Sequence, residues 1–140
     1  AKIPTVEVDI ESMEASEKTA EKVWVPNRNG VLLNIAACVA ETHGAAYIVP
    51  GFNAEEAATF PDNSVEYIEK MNECLKFSTS NGVQIMCFSQ DMQKSEMAQK
   101  LSEWKVDLDQ IWSCYKNGSE ICGECESCQR FLRAKNGVNS

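Results

Sequence analysis

The chain has 140 residues, a length that suits one domain with a modest core and no need of disulfide staples. Its formal net charge of -8, without a basic stripe, argues against direct nucleic-acid binding, and no apolar run reaches membrane-spanning length. The first residues do not resemble a signal peptide, so the expectation is a cytoplasmic protein that handles small molecules or proteins.

In chain order, Val6-Glu7-Val8-Asp9-Ile10 alternates as a strand does, and residues 11–22 are polar, as in a surface segment. The alanines and apolar spacing from 31 to 43 predict a well-buried helix, capped at its start by Asn27 or Asn29 and followed by Gly44. Ala45 to Val49 is a short apolar run of β character that ends at Pro50-Gly51. Val65, Ile68, Met71, Asn72 and Leu75 recur at helical spacing, with Asn63 and Glu66 resembling a capping box. Val83 to Phe88 reads as a second buried strand. Residues 93–104 read as an amphipathic helix with Met97, Leu101 and Trp104 on one face, and a short helix is expected from Gln129 to Lys135.

Strands alternating with helices predict an α/β fold, a parallel sheet covered by helices on both faces, within a single domain over residues 1–140. Ligands of such sheets bind beyond the carboxyl ends of the strands, which draws attention to the polar segments after 45–49 and 83–88.

Of seven cysteines, Cys38, Cys74 and Cys87 lie singly in apolar stretches. Cys114, Cys122, Cys125 and Cys128 crowd together with the spacing Cys-x7-Cys-x2-Cys-x2-Cys. Thiols two residues apart wrap one metal readily, and Gly123 eases the turn. Four thiolates complete a tetrahedral Zn²⁺ shell with no open position, which marks a structural site within a zinc-binding segment, 112–130. An iron–sulfur cluster is the rival metal, and a redox dithiol suits four such dense cysteines less well.

The segment from Trp112-Ser113-Cys114-Tyr115 through Cys122-Gly123-Glu124-Cys125-Glu126-Ser127-Cys128 resembles the zinc segment of the 7-cyano-7-deazaguanine synthase family of queuosine biosynthesis. Val25-Pro26-Asn27-Arg28-Asn29 is similar to that family's Val-Pro-x-Arg-Asn helix opening. Gly51 through Phe60-Pro61-Asp62 resembles its Gly…Tyr-Pro-Asp loop, and Lys94-Ser95-Glu96 its Lys-Ala-Glu helix start. The resemblance covers the chain from about Val23 onward and implies an adenine nucleotide alpha hydrolase-like sheet. It also implies an ATP-dependent ligase that turns 7-carboxy-7-deazaguanine and ammonia into the nitrile through an adenylated carboxylate. Structural Zn²⁺ is implied for this chain, and ATP with Mg²⁺ for the complete enzyme.

Two departures stand out. The family's Ser-Gly-Gly-x-Asp-Ser nucleotide loop is absent from these residues, and Asn63 follows Asp62 where many members carry Cys. The chain is therefore expected to lack the N-terminal strand, loop and helix of its family and to be inactive alone. The alternative function is a non-catalytic zinc-containing α/β protein that binds a deazaguanine-like ligand or a protein partner.

Candidate residues for binding substrate or nucleotide are Arg28, Asn29, Asp62 and Lys94. Arg28 sits at a helix start, where the dipole disfavours a cation unless it has a task. Asn29 orients a ligand or caps the helix. Asp62 accepts from a guanine-like edge or caps the helix at 65, and Lys94 offsets charge on a leaving phosphate or is a solvated first-turn lysine. Glu96 is a favourable first-turn charge, and His43 closes a helix rather than serving catalysis. Trp24 is a candidate pocket residue, while Trp104 and Trp112 are assigned to packing. No residue is assigned to proton transfer. The expected partner is a small-molecule substrate, and the reading leaves room for a homodimer.

Overall fold

A computed structural model describes residues 24–138, so the expected strand at 6–10 and the polar segment at 11–22 lie outside the described residues. The described residues divide into two compact units, one of Val25–Met92 and one that runs from Gln93 onward. No helix among the described residues is long and apolar enough to cross a membrane.

In the Val25–Met92 unit, α1 (Arg28–Thr42) leads to β1 (Tyr47–Ile48). A single turn α2 (Ala54–Ala57), a 3-10 turn at Pro61–Asn63, α3 (Val65–Ser78) and β2 (Gln84–Ile85) follow. Helix α1 begins at Arg28, earlier than the apolar spacing predicts. Asn27 holds the cap position in the left-handed region, at φ 54°, but its side chain makes no capping bond. The end is as expected: His43 closes the helix and Gly44 follows at φ 67°. Helix α3 is capped by Ser64, whose hydroxyl accepts from the Tyr67 N–H at 3.1 Å, rather than by the expected Asn63–Glu66 pair. Asn63 is spent one residue earlier, inside the 3-10 turn.

The two strands pair in parallel, Tyr47 opposite Gln84 and Ile48 opposite Ile85. The Gln84 N–H donates to the Ala46 carbonyl and the Met86 N–H to the Ile48 carbonyl, each at 2.9 Å. The ladder is shorter than the predicted runs, because Pro50 and the polar turns on either side end the pairing. Leu33 and Ala37 of α1, Ile68 and Leu75 of α3, and Ile85 form the core, with Ile48, Phe52 and Met71 packed against it. Full burial of a leucine such as Leu75 contributes about 1.5–3 kcal/mol.

Both helices thus cover the same face of the sheet, the one that carries Ile48 and Ile85. The other face, with Tyr47, Met86 and Phe88, is exposed, so the expectation of helices on both faces is not met among the described residues. Nor is α1 buried all round. Leu33, Ala37 and Ala40 face inward, while Val31, Leu32, Ile35 and Val39 remain about half exposed. Alanine-rich apolar spacing reads as burial on every side, yet only the stripe that meets β1 is covered.

The side chain of Asn72 binds the outer side of β2. Its amide donates to the Ile85 carbonyl at 3.0 Å, and its Oδ1 accepts from the Ile85 N–H at 2.6 Å. Asn72→Ala leaves both backbone groups without these partners, and about 1–3 kcal/mol of stability should be lost in denaturant unfolding. A change below about 0.3 kcal/mol would show that water replaces the amide without penalty.

In the other unit, α4 (Lys94–Glu103) and α5 (Glu126–Val138) pack together, and a 3-10 turn at Leu108–Gln110 lies between them in the chain. The small side chains of Ala98 and Ala134 are buried. Glu96 folds back to accept from the Gln93 N–H at 2.6 Å, so it ties down the start of α4. Trp104 is 70% exposed at the helix end, which corrects its assignment to packing. Helix α5 starts at Glu126, earlier than expected, with Cys128 in its first turn. Lys135 on this helix pairs with Asp109 of the 3-10 turn.

Candidate functional site

The four clustered cysteines are brought together by a loop, a glycine turn and a helix start. Cys114 follows the 3-10 turn and an extended stretch, Gly123 takes φ 71° between Cys122 and Cys125, and the first turn of α5 presents Cys128. All four sulfurs lie within 4.8 Å of one another, and none is in a disulfide. Metal–sulfur bonds of about 2.3 Å in a tetrahedron place sulfurs about 3.8 Å apart. Cys122 Sγ and Cys128 Sγ stand at 4.0 Å, so the donor set fits a metal ion.

Donors around the sulfurs hold them in place. The N–H groups of Lys116 and Cys122 donate to Cys114 Sγ at 3.3 and 3.4 Å, and the Cys125 N–H donates to Cys122 Sγ at 3.4 Å. The Ser113 hydroxyl donates to Cys128 Sγ at 3.6 Å. Backbone N–H groups of Cys125 and Glu124 lower the Cys122 thiol to about 6. Burial pushes the Cys128 thiol up to about 11. A ring of donors favours thiolates, and a cation at the centre removes the penalty on the buried one. The Cys122 charge, then that of Glu124, raises the Lys116 ammonium, which lies 3.5 Å from the Glu124 carboxylate. Trp112 serves the same segment, its indole N–H donating to the Cys114 carbonyl at 3.0 Å.

A second group of polar residues gathers in the Val25–Met92 unit. Asn29 is buried in the first turn of α1 and donates from Nδ2 to the Asp62 carbonyl at 3.4 Å. Asp62 Oδ1 accepts from Asn63 Nδ2 at 3.1 Å. The Tyr67 hydroxyl is held above its ordinary range by burial first and by the Asp62 charge second. Arg28 precedes Asn29 and is exposed, and no acidic residue occupies the first turn of α1.

Gly30 leaves room for this crowding, since any side chain there would have to displace that of Asn27. A Cβ there would collide with Asn27 Oδ1 and stand 2.9 Å from the Tyr67 hydroxyl. The motif at 25–29 and the loop at 60–62 thus meet, with Arg28, Asn29 and Asp62 in one unit. Lys94 opens α4 in the other unit and is partly buried. Sequence reasoning passed over Gly30, Asn63 and Tyr67 as contributors here. Only Asn63 gave a signal, as a departure from the family pattern. The Ser113 contact with a sulfur had no signal beyond adjacency to Cys114.

A cleft of about 260 Å³ beside the cysteine segment is lined by Ile111, Trp112, Ile121, Phe131 and Lys135 among others, and by none of the four candidate ligand residues.

Comparison with known proteins agrees with the motifs. The family model described as queuosine biosynthesis protein QueC matches residues 3–138. A relative named 7-cyano-7-deazaguanine synthase from Carboxydothermus hydrogenoformans is 54% identical over 135 residues, covering 96% of this chain and 62% of the relative. Proteins of the same name from Methanosarcina mazei and Pyrococcus furiosus are 50% and 43% identical, over 85% and 87% of this chain and 52% and 54% of their own lengths. The chain therefore spans between half and two thirds of these relatives. With a family match from end to end of the described residues, the chain belongs to the QueC family of queuosine biosynthesis proteins.

Proposed function

We propose that the complete protein is an ATP-dependent ligase that converts 7-carboxy-7-deazaguanine and ammonia to 7-cyano-7-deazaguanine, a queuosine precursor. The observation that carries this reading is the match over residues 3–138 to a family whose relatives are named 7-cyano-7-deazaguanine synthase. A carboxylate resists attack by ammonia until its oxygen becomes a good leaving group, and adenylation with ATP and Mg²⁺ supplies one.

In this reading the planar fork of Arg28 binds a carboxylate or phosphate, and Asn29 orients it. Asp62 accepts hydrogen bonds from the guanine-like edge, and Lys94 offsets charge on the departing phosphate. Cys114, Cys122, Cys125 and Cys128 hold one Zn²⁺ as a closed structural site. Residues 1–140 are read as belonging to one α/β fold of the adenine nucleotide alpha hydrolase-like type, with the zinc segment 112–130 within it. The protein is read as working in the cytoplasm on a small molecule, without direct nucleic-acid contact and with room for a homodimer.

The test is the full-length protein incubated with ATP, ammonia and the carboxylated deazaguanine, with the nitrile read by mass spectrometry. Absence of ATP consumption would favour a non-catalytic zinc protein. The 140-residue chain alone should consume no ATP, because it offers no run of amides and small side chains to cradle phosphates.

Arg28→Ala in the full-length enzyme should lower turnover about 30- to 1000-fold, as expected for loss of a charge-assisted contact of about 2–4 kcal/mol. Stability should change by at most about 0.5 kcal/mol, since Arg28 is exposed. Turnover within about threefold of wild type removes Arg28 from the site.

A further inference from the structure

Two buried amides converge on one half-buried acidic residue in the Val25–Met92 unit. Asn29 and Asn63 are each 8% exposed, and both spend a side-chain N–H on Asp62. Asn29 Nδ2 donates to the Asp62 carbonyl at 3.4 Å, from the first turn of α1. Asn63 Nδ2 donates to Asp62 Oδ1 at 3.1 Å, from the next position of the 3-10 turn. That turn is itself pinned. The Asn63 N–H donates to the Phe60 carbonyl at 2.9 Å, and Ser64 caps α3 directly after it. A backbone fixed on both sides and a carboxylate fixed at one oxygen leave Asp62 little freedom to turn.

No Lys or Arg pairs with Asp62 among the described residues, and its Oδ2 makes no hydrogen bond there. A half-buried carboxylate is stabilised by donors, and here only Oδ1 has one. With one oxygen held, the two oxygens lie in a set plane. Two N–H groups side by side, as on a guanine edge with its ring N–H and exocyclic amine, match such a plane as a bidentate pair. A ligand edge with one N–H gains less, because a single hydrogen bond tolerates rotation of the carboxylate.

We infer that Asn63 is a positioning residue that sets the carboxylate plane of Asp62 for a ligand edge with two adjacent N–H donors. It thereby favours guanine-like over hypoxanthine-like ligands. The inference rests on Asp62 as the acceptor of the guanine-like edge. Cys, which many members of the family carry at this position, has a shorter side chain and only a weak S–H donor, so it is a poor substitute for the amide.

The test is calorimetric binding to the full-length protein of 7-cyano-7-deazaguanine and of its analogue without the exocyclic amine. Asn63→Cys and Asn63→Ala should weaken the first ligand about three- to tenfold, the cost of a side chain that regains its rotation before binding. The analogue should change by less than about twofold, so the preference between the two falls. In turnover, Asn63→Cys should raise KM more than it lowers kcat, since the guanine-like edge lies away from the reacting carboxyl. Asp62→Ala should weaken the first ligand about tenfold or more and erase the preference. Denaturant unfolding shows which variants are folded. Should Asn63→Ala fail to fold, Asn63→Cys, a side chain that the family accommodates here, gives the answer alone.

If Asp62→Ala leaves both affinities unchanged, the assignment of Asp62 and this inference fall together. If Asp62→Ala weakens binding while the Asn63 variants keep the wild-type affinity and preference, the inference alone is overturned. An equal loss of both ligands on changing Asn63 overturns it too, since that is what a merely structural amide would give. Failure of the wild type to form the nitrile, with the preference and its dependence on Asn63 intact, would remove the ligase reading and leave the inference standing.

Discussion

Stripping the metal from the four-cysteine site, or replacing Cys128 with Ser, should unfold the Gln93–Ser140 part of the chain while the Val25–Met92 unit keeps its structure. The two units have very different cores. Between Val25 and Met92 the buried apolar residues include Leu33, Ile68, Leu75, Val83 and Ile85. From Gln93 onward they are Ala98, Cys128 and Ala134 among the described residues, and two of these are single methyl groups. Three small side chains do not offset the entropy of ordering two helices and a long loop. Structural zinc supplies about 10–16 kcal/mol of apparent binding energy at neutral pH, which exceeds the net stability of most small domains.

Amide exchange after treatment with a strong chelator should therefore show loss of protection across α4 and α5. Elemental analysis of the untreated protein should show one zinc per chain. Cys38→Ser serves as the control, because Cys38 is exposed on α1 and stands apart from the cluster. Unchanged protection in α5 after metal removal would show that the site is dispensable for folding. Iron in place of zinc would replace the metal assignment while leaving the ligand set.

The cysteine site was legible because its chemistry is local. Four thiols with two-residue spacings and a glycine between them constrain the backbone whatever surrounds them, and the sulfurs do converge. The motif at 25–29 and the loop at 60–62 were legible only as family patterns. Their meeting through Asn29 and the Asp62 carbonyl is a long-range contact that no periodicity contains.

Capping was read at the right places with the wrong partners. Ser64 outcompetes Asn63 because a 3-10 turn takes up Asn63 first, and Glu96 binds the Gln93 N–H rather than only facing the helix dipole. The largest gap concerns burial. The apolar run of α1 and the short strands read as interior on all sides, since hydropathy records which side chains shun water and not which neighbours are present to cover them. Lys94 shows the same limit: its motif is visible, but it falls in a different compact unit from Arg28, Asn29 and Asp62.

Glu126→Ala should destabilise the cysteine-bearing unit by up to about 3–5 kcal/mol with zinc bound, the range for removing one member of a buried ion pair. Glu126 and Arg130 lie one helical turn apart in α5, and both side chains are nine-tenths buried or more. Glu126 Oε1 accepts from Arg130 Nε at 3.0 Å and from Nη2 at 2.8 Å. The carboxylate also sits at the start of the helix, where the dipole favours an anion. Truncation leaves the guanidinium buried without this carboxylate, and a guanidinium does not shed its proton to escape.

Glu126→Gln separates charge from shape. It keeps an acceptor oxygen at nearly the same place, so its penalty should be smaller, about 1–3 kcal/mol. Denaturant unfolding at saturating zinc reads both variants, with zinc content measured alongside so that metal loss is not mistaken for loss of the ion pair. Equal penalties for the two substitutions would mean that geometry, not charge, holds Arg130. A loss below about 1 kcal/mol for Glu126→Ala would mean that water reaches the guanidinium and that the pair behaves as a surface one.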